Sequence, residues 1–200
     1  VSLSGAPLAA DDPQFQGTIF VIRNITDRKR AERRIRYLAR YDALTKIPNR
    51  MQFQHMLQQA IARARRTERG IVMLYLDMDR FKEVNDAHGH ETGDAALRMV
   101  ATTLARAARS LDFVGRWGGE EFVVLLANVT DFNLPLVADR ARRLVEHSEL
   151  PLADGFLKVT VSIGATLVRK GEEIADILKR ADGLMYEAKS AGRNRVVVRL

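Results

Sequence analysis

The stretch that most constrains this chain is Arg116-Trp117-Gly118-Gly119-Glu120-Glu121-Phe122. Phe113-Val114 lies on its near side and Phe122-Val123-Val124-Leu125-Leu126 on its far side. Two apolar runs joined by a Gly-Gly pair predict antiparallel strands and a tight primed turn, because glycine accepts positive φ without cost. Glu120 and Glu121 then stand where the return strand enters an apolar run. Two carboxylates about 4 Å apart repel by roughly 4 kcal/mol at an effective dielectric of about 20. A fold that keeps them together needs either open solvent or a cation.

Asp77 favours the cation. It closes Ile71-Val72-Met73-Leu74-Tyr75-Leu76, an apolar run that starts after Gly70 and fits a strand buried on both faces. A helix follows from about Gly93 to Ala108, with Leu97, Val100, Leu104 and Ala108 on one stripe. The near arm of the hairpin is the next strand. A strand-helix-strand unit in one sheet makes its strands parallel, with a right-handed crossover. Glu120 and Glu121 should therefore emerge at the sheet edge where Asp77 leaves. Three hard carboxylates converging there, with room for a triphosphate, predict a Mg²⁺ or Mn²⁺ site.

With 200 residues, the chain allows one domain and a short appendage, and its 46% apolar content suffices for a core. No stretch reaches the length of a membrane span. The lack of an initiating Met suggests an excised fragment. Without cysteine, disulfides, thiolate catalysis and thiolate zinc sites are excluded, and the four histidines are scattered. The net charge of +7 comes largely from two arginine-rich helical stretches, 28–40 and 63–69, in which Tyr37 is the one interleaved aromatic. Nucleic acid is therefore not the expected partner.

Along the chain, residues 1–16 read as loop, and Gly17 to Asn24 as the last strand of a domain otherwise missing. Residues 26–40 form a charged helix whose Ala31, Ile35 and Leu38 repeat as a short coiled-coil seam. Pro48 breaks the helical path, and Asn49 caps a helix that buries Phe53, Leu57, Ile61 and Ala64. A helix is expected over Leu134–Glu146, with Leu136, Ala141 and Leu144 in the core. Leu157 to Gly164 alternates as one half-exposed strand. Ile174–Ser190 is the last helix, ended by Gly192, and Arg195 to Val198 a closing strand. The order predicts an α+β, ferredoxin-like fold: a central antiparallel sheet with helices packed on it, plus an N-terminal linker helix.

The connection from Asp77 to Asp94 is long enough to be functional. Lys82 is a flexible charge suited to a phosphate. Asn85 and Asp94 offer an amide and a carboxylate able to read a guanine edge. Asp94 could equally complement a helix N-terminus, and Asn85 shape a turn.

Three motif groups carry a family resemblance. One is Asp77-x-Asp79-x-Phe81-Lys82-x-x-Asn85-Asp86-x-x-Gly89-His90-x-x-Gly93-Asp94 with Arg116-x-Gly118-Gly119-Glu120-Glu121-Phe122. The others are Leu44-Thr45-x-x-Pro48-Asn49-Arg50 and Ser162-Ile163-Gly164 with Ala181-Asp182 through Tyr186-x-Ala188-Lys189-x-x-Gly192-Arg193-Asn194. Together they resemble the GGDEF-type diguanylate cyclases over residues 41–200. Residues 1–25 resemble the end of a PAS sensor domain, and residues 26–40 its signalling linker.

The resemblance implies a palm-like nucleotidyl cyclase that condenses two GTP, one on each subunit of a homodimer, into cyclic di-GMP and two pyrophosphates. Asp77, the Met78 carbonyl, Glu120 and Glu121 would hold Mg²⁺ or Mn²⁺, two per active site. Glu120, Glu121 and Lys82 form the implied catalytic set, with Glu120 taking the proton of the attacking 3′-hydroxyl. Phe81, Lys82, Asn85, His90, Asp94, Lys189 and Arg193 would bind substrate. Lys189 and Arg193 also read simply as helix C-terminal cations. Arg109 and Asp112 match an inhibitory site for the product, completed by Arg140; the residues alone read as a surface pair. Glu120 stands where the family name has Asp, and Lys46-Ile47 replaces the usual Gly-Leu. A non-catalytic GTP or cyclic di-GMP receptor is the alternative function. The expected location is cytoplasmic, with the intact protein free to attach to a membrane through parts N-terminal to this chain.

Overall fold

A computed structural model describes residues 2–8, 17–67 and 70–200. The chain divides into two compact units after Ala39. In the first, β1 (Ser2–Leu8) pairs antiparallel with β2 (Gly17–Arg23), Ser2 opposite Arg23 and Leu8 opposite Gly17. The strand starting at Gly17 thus has a partner, and much of the segment expected as loop is itself a strand. The Asp11-Asp12-Pro13 part of that expected loop lies outside the described residues. Helix α1 (Thr26–Leu38) starts where Asn24 Oδ1 accepts the Thr26 N–H at 3.0 Å, and it buries none of its residues.

The second unit begins with α2 (Arg50–Thr67), whose Asn49 cap accepts the Gln52 N–H at 3.0 Å. The elements that follow are β3 (Ile71–Met78), α3 (Phe81–Ala107), β4 (Phe113–Gly118), β5 (Glu121–Ala127) and α4 (Leu134–Glu146). Then come β6 (Glu149–Leu152), β7 (Gly155–Lys158), β8 (Val161–Leu167), α5 (Ile174–Ser190) and β9 (Val196–Arg199). The main sheet has the order β4-β5-β3-β8-β9. β3 is antiparallel to both neighbours, β4 is antiparallel to β5, and β9 runs parallel to β8. β3 and β4 therefore run the same way with β5 between them. The first four strands follow the ferredoxin-like order, with α5 and β9 added.

Every residue of β3 is buried, and strand alternation divides its side chains between two cores. Val72, Leu74 and Leu76 face Leu97, Val100 and Leu104 of α3 and Leu134 and Ala138 of α4. Ile71, Met73 and Tyr75 pack with Phe53 and Leu57 of α2 and Ile177 and Met185 of α5. Truncating one such residue, as in Leu74→Ala, costs about 2–5 kcal/mol. At Gly164 a Cβ would stand 2.0 Å from the Ala181 carbonyl oxygen, so α5 lies directly on β8 there.

Four expectations change. The connection after Asp77 is mostly helical: α3 begins at Phe81 and kinks at Gly89, where φ is 81°. The strand expected over Leu157–Gly164 is two, β7 paired with β6 in a small hairpin and β8 in the main sheet. On α4 the buried residues are Leu134, Ala138 and Val145, whereas Leu136 is 72% exposed. The hairpin turn is centred on Gly119-Glu120, because Gly118 already pairs with Glu121 and the register shifts at Trp117. Gly119 supplies the positive φ, 48°. Among the described residues no helix is long and apolar enough to cross a membrane.

Candidate active site

Register places the acids. Asp77 sits directly across from Glu121, and the Met78 N–H donates to the Glu120 carbonyl at 3.2 Å. Asp77 is 5% exposed. Lys189 Nζ on α5 lies 2.7 Å from its Oδ1, yet that buried oxygen receives no hydrogen bond of acceptable geometry. Burial pushes the Asp77 carboxyl up to about 6; Lys189 opposes the rise, and Glu120 and Glu121 add to it. Burial likewise raises the Glu121 carboxyl, against a 3.2 Å hydrogen bond from the Tyr75 hydroxyl. The Tyr75 phenol is raised in turn, by burial first and then by Glu121. Asp77 and Glu121, with the Glu120 charge beside them, form an acidic pole that Lys189 partly neutralises.

Among the described residues no group of three His, Asp or Glu side chains is close enough to hold a metal ion. The donor chemistry still fits a hard divalent cation: a buried carboxylate whose charge partner is Lys189, and two further carboxylates at the same edge.

A second cluster forms across the Gly89 kink. A Cβ on Gly93 would stand 1.9 Å from Asn85 Oδ1 and 3.3 Å from Phe81 Cζ. Glycine here lets the Asn85 amide and the Phe81 ring settle against the second half of α3. Asp94 follows, half-exposed, with its carboxylate 4.0 Å from Arg98. An amide and a carboxylate are thus held one helical segment apart beside an aromatic ring. Lys82 and Arg193 are exposed, as is His90 just past the kink.

The expected inhibitory residues also meet. Arg109, Asp112 and Arg140 line one pocket walled by Leu104, Val137 and Leu144. Asp112 accepts the backbone N–H groups of Arg109 at 2.8 Å and Ala127 at 3.0 Å, so its contact with Arg109 is through backbone.

Several supporting residues escaped the sequence reading. Asp42 Oδ1 accepts the Thr45 N–H at 2.8 Å, the Thr45 hydroxyl at 2.7 Å and Arg116 Nη1 at 3.0 Å. Burial disfavours the ionised Asp42, but these bonds prevail and hold its carboxyl below the usual range. Arg116 also donates from Nε and Nη2 to the Gly119 carbonyl, at 3.0 and 2.7 Å. The loop before α2 thereby braces the hairpin turn that carries Glu120. Arg50 lies over the Trp117 ring at 4.6 Å, and Trp117 meets Tyr75 edge-on. Asp79, 6% exposed, accepts bonds from the Ser162 hydroxyl at 2.6 Å, the Thr160 hydroxyl at 2.7 Å and the Asn194 N–H at 3.0 Å. Asp42 with Thr45 had a legible signal, the Asx-turn spacing. Asp79 had no signal for this bracing role beyond its place in the Asp77-x-Asp79 motif.

Comparison with known proteins follows this geometry. Residues 39–195 match the family described as "Diguanylate cyclase, GGDEF domain". Diguanylate cyclase DgcM of Escherichia coli K12 is 39% identical over 181 residues, covering 88% of this chain and 42% of that protein. The chain thus spans less than half the length of that relative. The coiled coil and GGDEF domain of DgcB from Caulobacter crescentus, crystallised with c-di-GMP, superposes with a TM-score of 0.79. It is 30% identical, covering 88% of this chain and 93% of that one. The active GGEEF domain of a Vibrio cholerae diguanylate cyclase gives 0.63 at 32% identity, covering 70% and 89%. With more than half its length matched by the family, and its acids at the sheet edge beside the Gly-Gly hairpin, the chain belongs to the GGDEF-domain diguanylate cyclases.

Proposed function

We propose that this chain condenses two GTP molecules into cyclic di-GMP with release of two pyrophosphates. The observation that carries the reading is the buried Asp77 carboxylate, paired with Lys189 and opposite Glu121 at the edge where the Glu120 turn emerges. Asp77, the Met78 carbonyl, Glu120 and Glu121 would hold Mg²⁺ or Mn²⁺, two per active site. When bound, the metals supply charge that offsets the growing negative charge on the α-phosphate and leaving pyrophosphate.

Asn85 and Asp94 read guanine, with Phe81 against them and His90 at the rim. Lys82, Lys189 and Arg193 hold the phosphates. Glu120 accepts the proton of the attacking 3′-hydroxyl. That oxygen bonds to the α-phosphorus of the facing GTP, and the bond to the β-phosphate oxygen breaks. One domain holds one GTP, so the facing nucleotide comes from a second subunit, and the working form is a homodimer. Exposed Ile35 and Leu38 on α1 suit a seam between two copies. Residues 1–25 are the end of a PAS-type sensor, 26–40 its linker and 41–200 the cyclase domain. Arg109, Asp112 and Arg140 bind product and restrain turnover. GTP as substrate places the reaction in the cytoplasm.

Support for glutamate at position 120 comes from the active GGEEF domain of the Vibrio cholerae diguanylate cyclase, which carries the same Gly-Gly-Glu-Glu-Phe sequence. Glu120→Gln tests the assignment: the amide keeps the shape and loses the anion, so the folded variant should form no product. Product formation at the unsubstituted rate would overturn it.

A further inference from the structure

Gly192, Arg193 and Asn194 all have positive φ, 118°, 63° and 44°. Two consecutive non-glycine residues in the left-handed region are strained, so surrounding structure must hold them. The Arg193 N–H donates to the Ala188 carbonyl at 3.1 Å, and Asn194 adds a second hold, with bonds that run two ways. Its N–H donates to Asp79 Oδ2 at 3.0 Å. Its side-chain Oδ1 accepts from Arg142 Nη1 at 2.7 Å, and its Nδ2 donates to Glu146 Oε1 at 2.7 Å. Arg142 is itself fixed by Glu146 at 2.7 Å and Asp139 at 2.8 Å, and its side chain is 12% exposed. A four-member chain therefore runs from α4 through the turn after α5 to Asp79, two residues beyond Asp77.

We infer that Arg142, Glu146 and Asn194 are positioning residues that hold the left-handed turn and so aim Arg193 at the outer phosphates of the nucleotide. The inference rests on the reading of Arg193 as a phosphate grip. Asn194 touches no substrate atom in this scheme. Its side chain ties the turn to α4, while its backbone ties the same turn to the loop of acids. Neither the apolar packing of α5 nor the β8–β9 pairing needs this chain of polar bonds, because the buried face of α5 packs on β3 and β8 through Ile177, Ala181 and Met185.

Two variants separate aiming from folding. Glycine adopts left-handed φ freely, so Asn194→Gly keeps the backbone path and removes both side-chain bonds. Arg142→Met removes the donor on α4 and leaves Asp139 and Glu146, both partly exposed, to water. Calorimetry on the 200-residue chain with Mg²⁺ compares a GTP analogue carrying a methylene between its α- and β-phosphates with GMP, which lacks outer phosphates. Wild type should bind the triphosphate more tightly than GMP. Each variant should lose roughly tenfold in affinity for the triphosphate, the scale of one charge-assisted hydrogen bond, with GMP binding unchanged. Arg142→Lys should recover part of the loss.

If wild type fails to prefer the triphosphate, the phosphate-grip reading itself falls and the inference with it. If wild type prefers the triphosphate and both variants keep the full preference, the positioning role alone is wrong. Equal loss of triphosphate and GMP affinity would likewise overturn it, since that marks a general structural defect.

Discussion

Gly93→Ala should strengthen the fold and weaken substrate binding at once. A methyl at this position would lie 1.9 Å from Asn85 Oδ1, 3.0 Å from Asn85 Cγ and 3.3 Å from Phe81 Cζ. The closest atoms are the far end of a flexible side chain, so the amide rotates away while the helix backbone stays. In a helix interior alanine is more stable than glycine by roughly 0.5–1 kcal/mol, which should appear as a higher urea midpoint. The displaced amide loses its hydrogen bonds to guanine, about 1–2 kcal/mol, or roughly five- to thirty-fold in Kd. Urea unfolding and calorimetric titration with the methylene-bridged GTP analogue read the two effects separately. A variant that is more stable and binds the analogue as wild type does would remove Asn85 from the guanine site. A variant that is less stable would show that Phe81 and Asn85 cannot give way, and the reasoning about the cradle would fail.

Three other outcomes are expected. Burial raises the Asp77 carboxyl from its ordinary 3.8 to about 6, so within that window the folded chain holds a proton that the unfolded chain has released. Its contribution to stability therefore falls as pH rises through the window, and Asp77→Asn should flatten that slope by up to about 1.4 kcal/mol per pH unit when unfolding is followed from about pH 4 to about pH 7; an unchanged slope would refute the burial argument. Leu38→Asp, at a half-exposed position of the α1 seam, should shift the rise of specific activity with protein concentration to higher concentration, and turnover by a verified monomer would refute the dimer mechanism. Arg109→Ala should require more added cyclic di-GMP for the same loss of activity, and coincident inhibition curves would refute the inhibitory site.

Much of the fold was legible because its strongest element is unambiguous. Ile71 to Leu76 is apolar on both faces and can only be a central strand, and the acids at its end follow from connectivity. The Gly89 region was not legible. Asn85, Asp86, His88 and Gly89 are weak helix formers, so the stretch gives little helical signal although it forms the first turns of α3, up to the kink at Gly89. The break between β7 and β8 is likewise tertiary: the Asp79 N–H takes the Thr160 carbonyl at 2.9 Å, and the Thr160 hydroxyl turns back to Asp79. On α4 the sequence offers two apolar stripes, and contact with β8 and α3 selects Leu134, Ala138 and Val145 over Leu136. Ser2–Leu8 was hidden by Gly5 and Pro7, which a two-stranded hairpin tolerates because each strand has a free edge. At the site, the acids could be placed from connectivity, but the bracing by Asp42 and Arg116 links positions 74 residues apart and leaves no local pattern. Lys46, standing where the resemblance has glycine, has a left-handed φ of 63°, a conformation that glycine adopts freely.

The most direct measurement is product analysis. The chain is incubated with GTP and Mg²⁺, and the nucleotides are resolved by chromatography. Conversion of GTP to cyclic di-GMP, with two pyrophosphates released for each cyclic product and no turnover without the divalent ion, is the expected result. GTP that binds and is recovered intact would contradict the cyclase assignment and make the chain a nucleotide receptor.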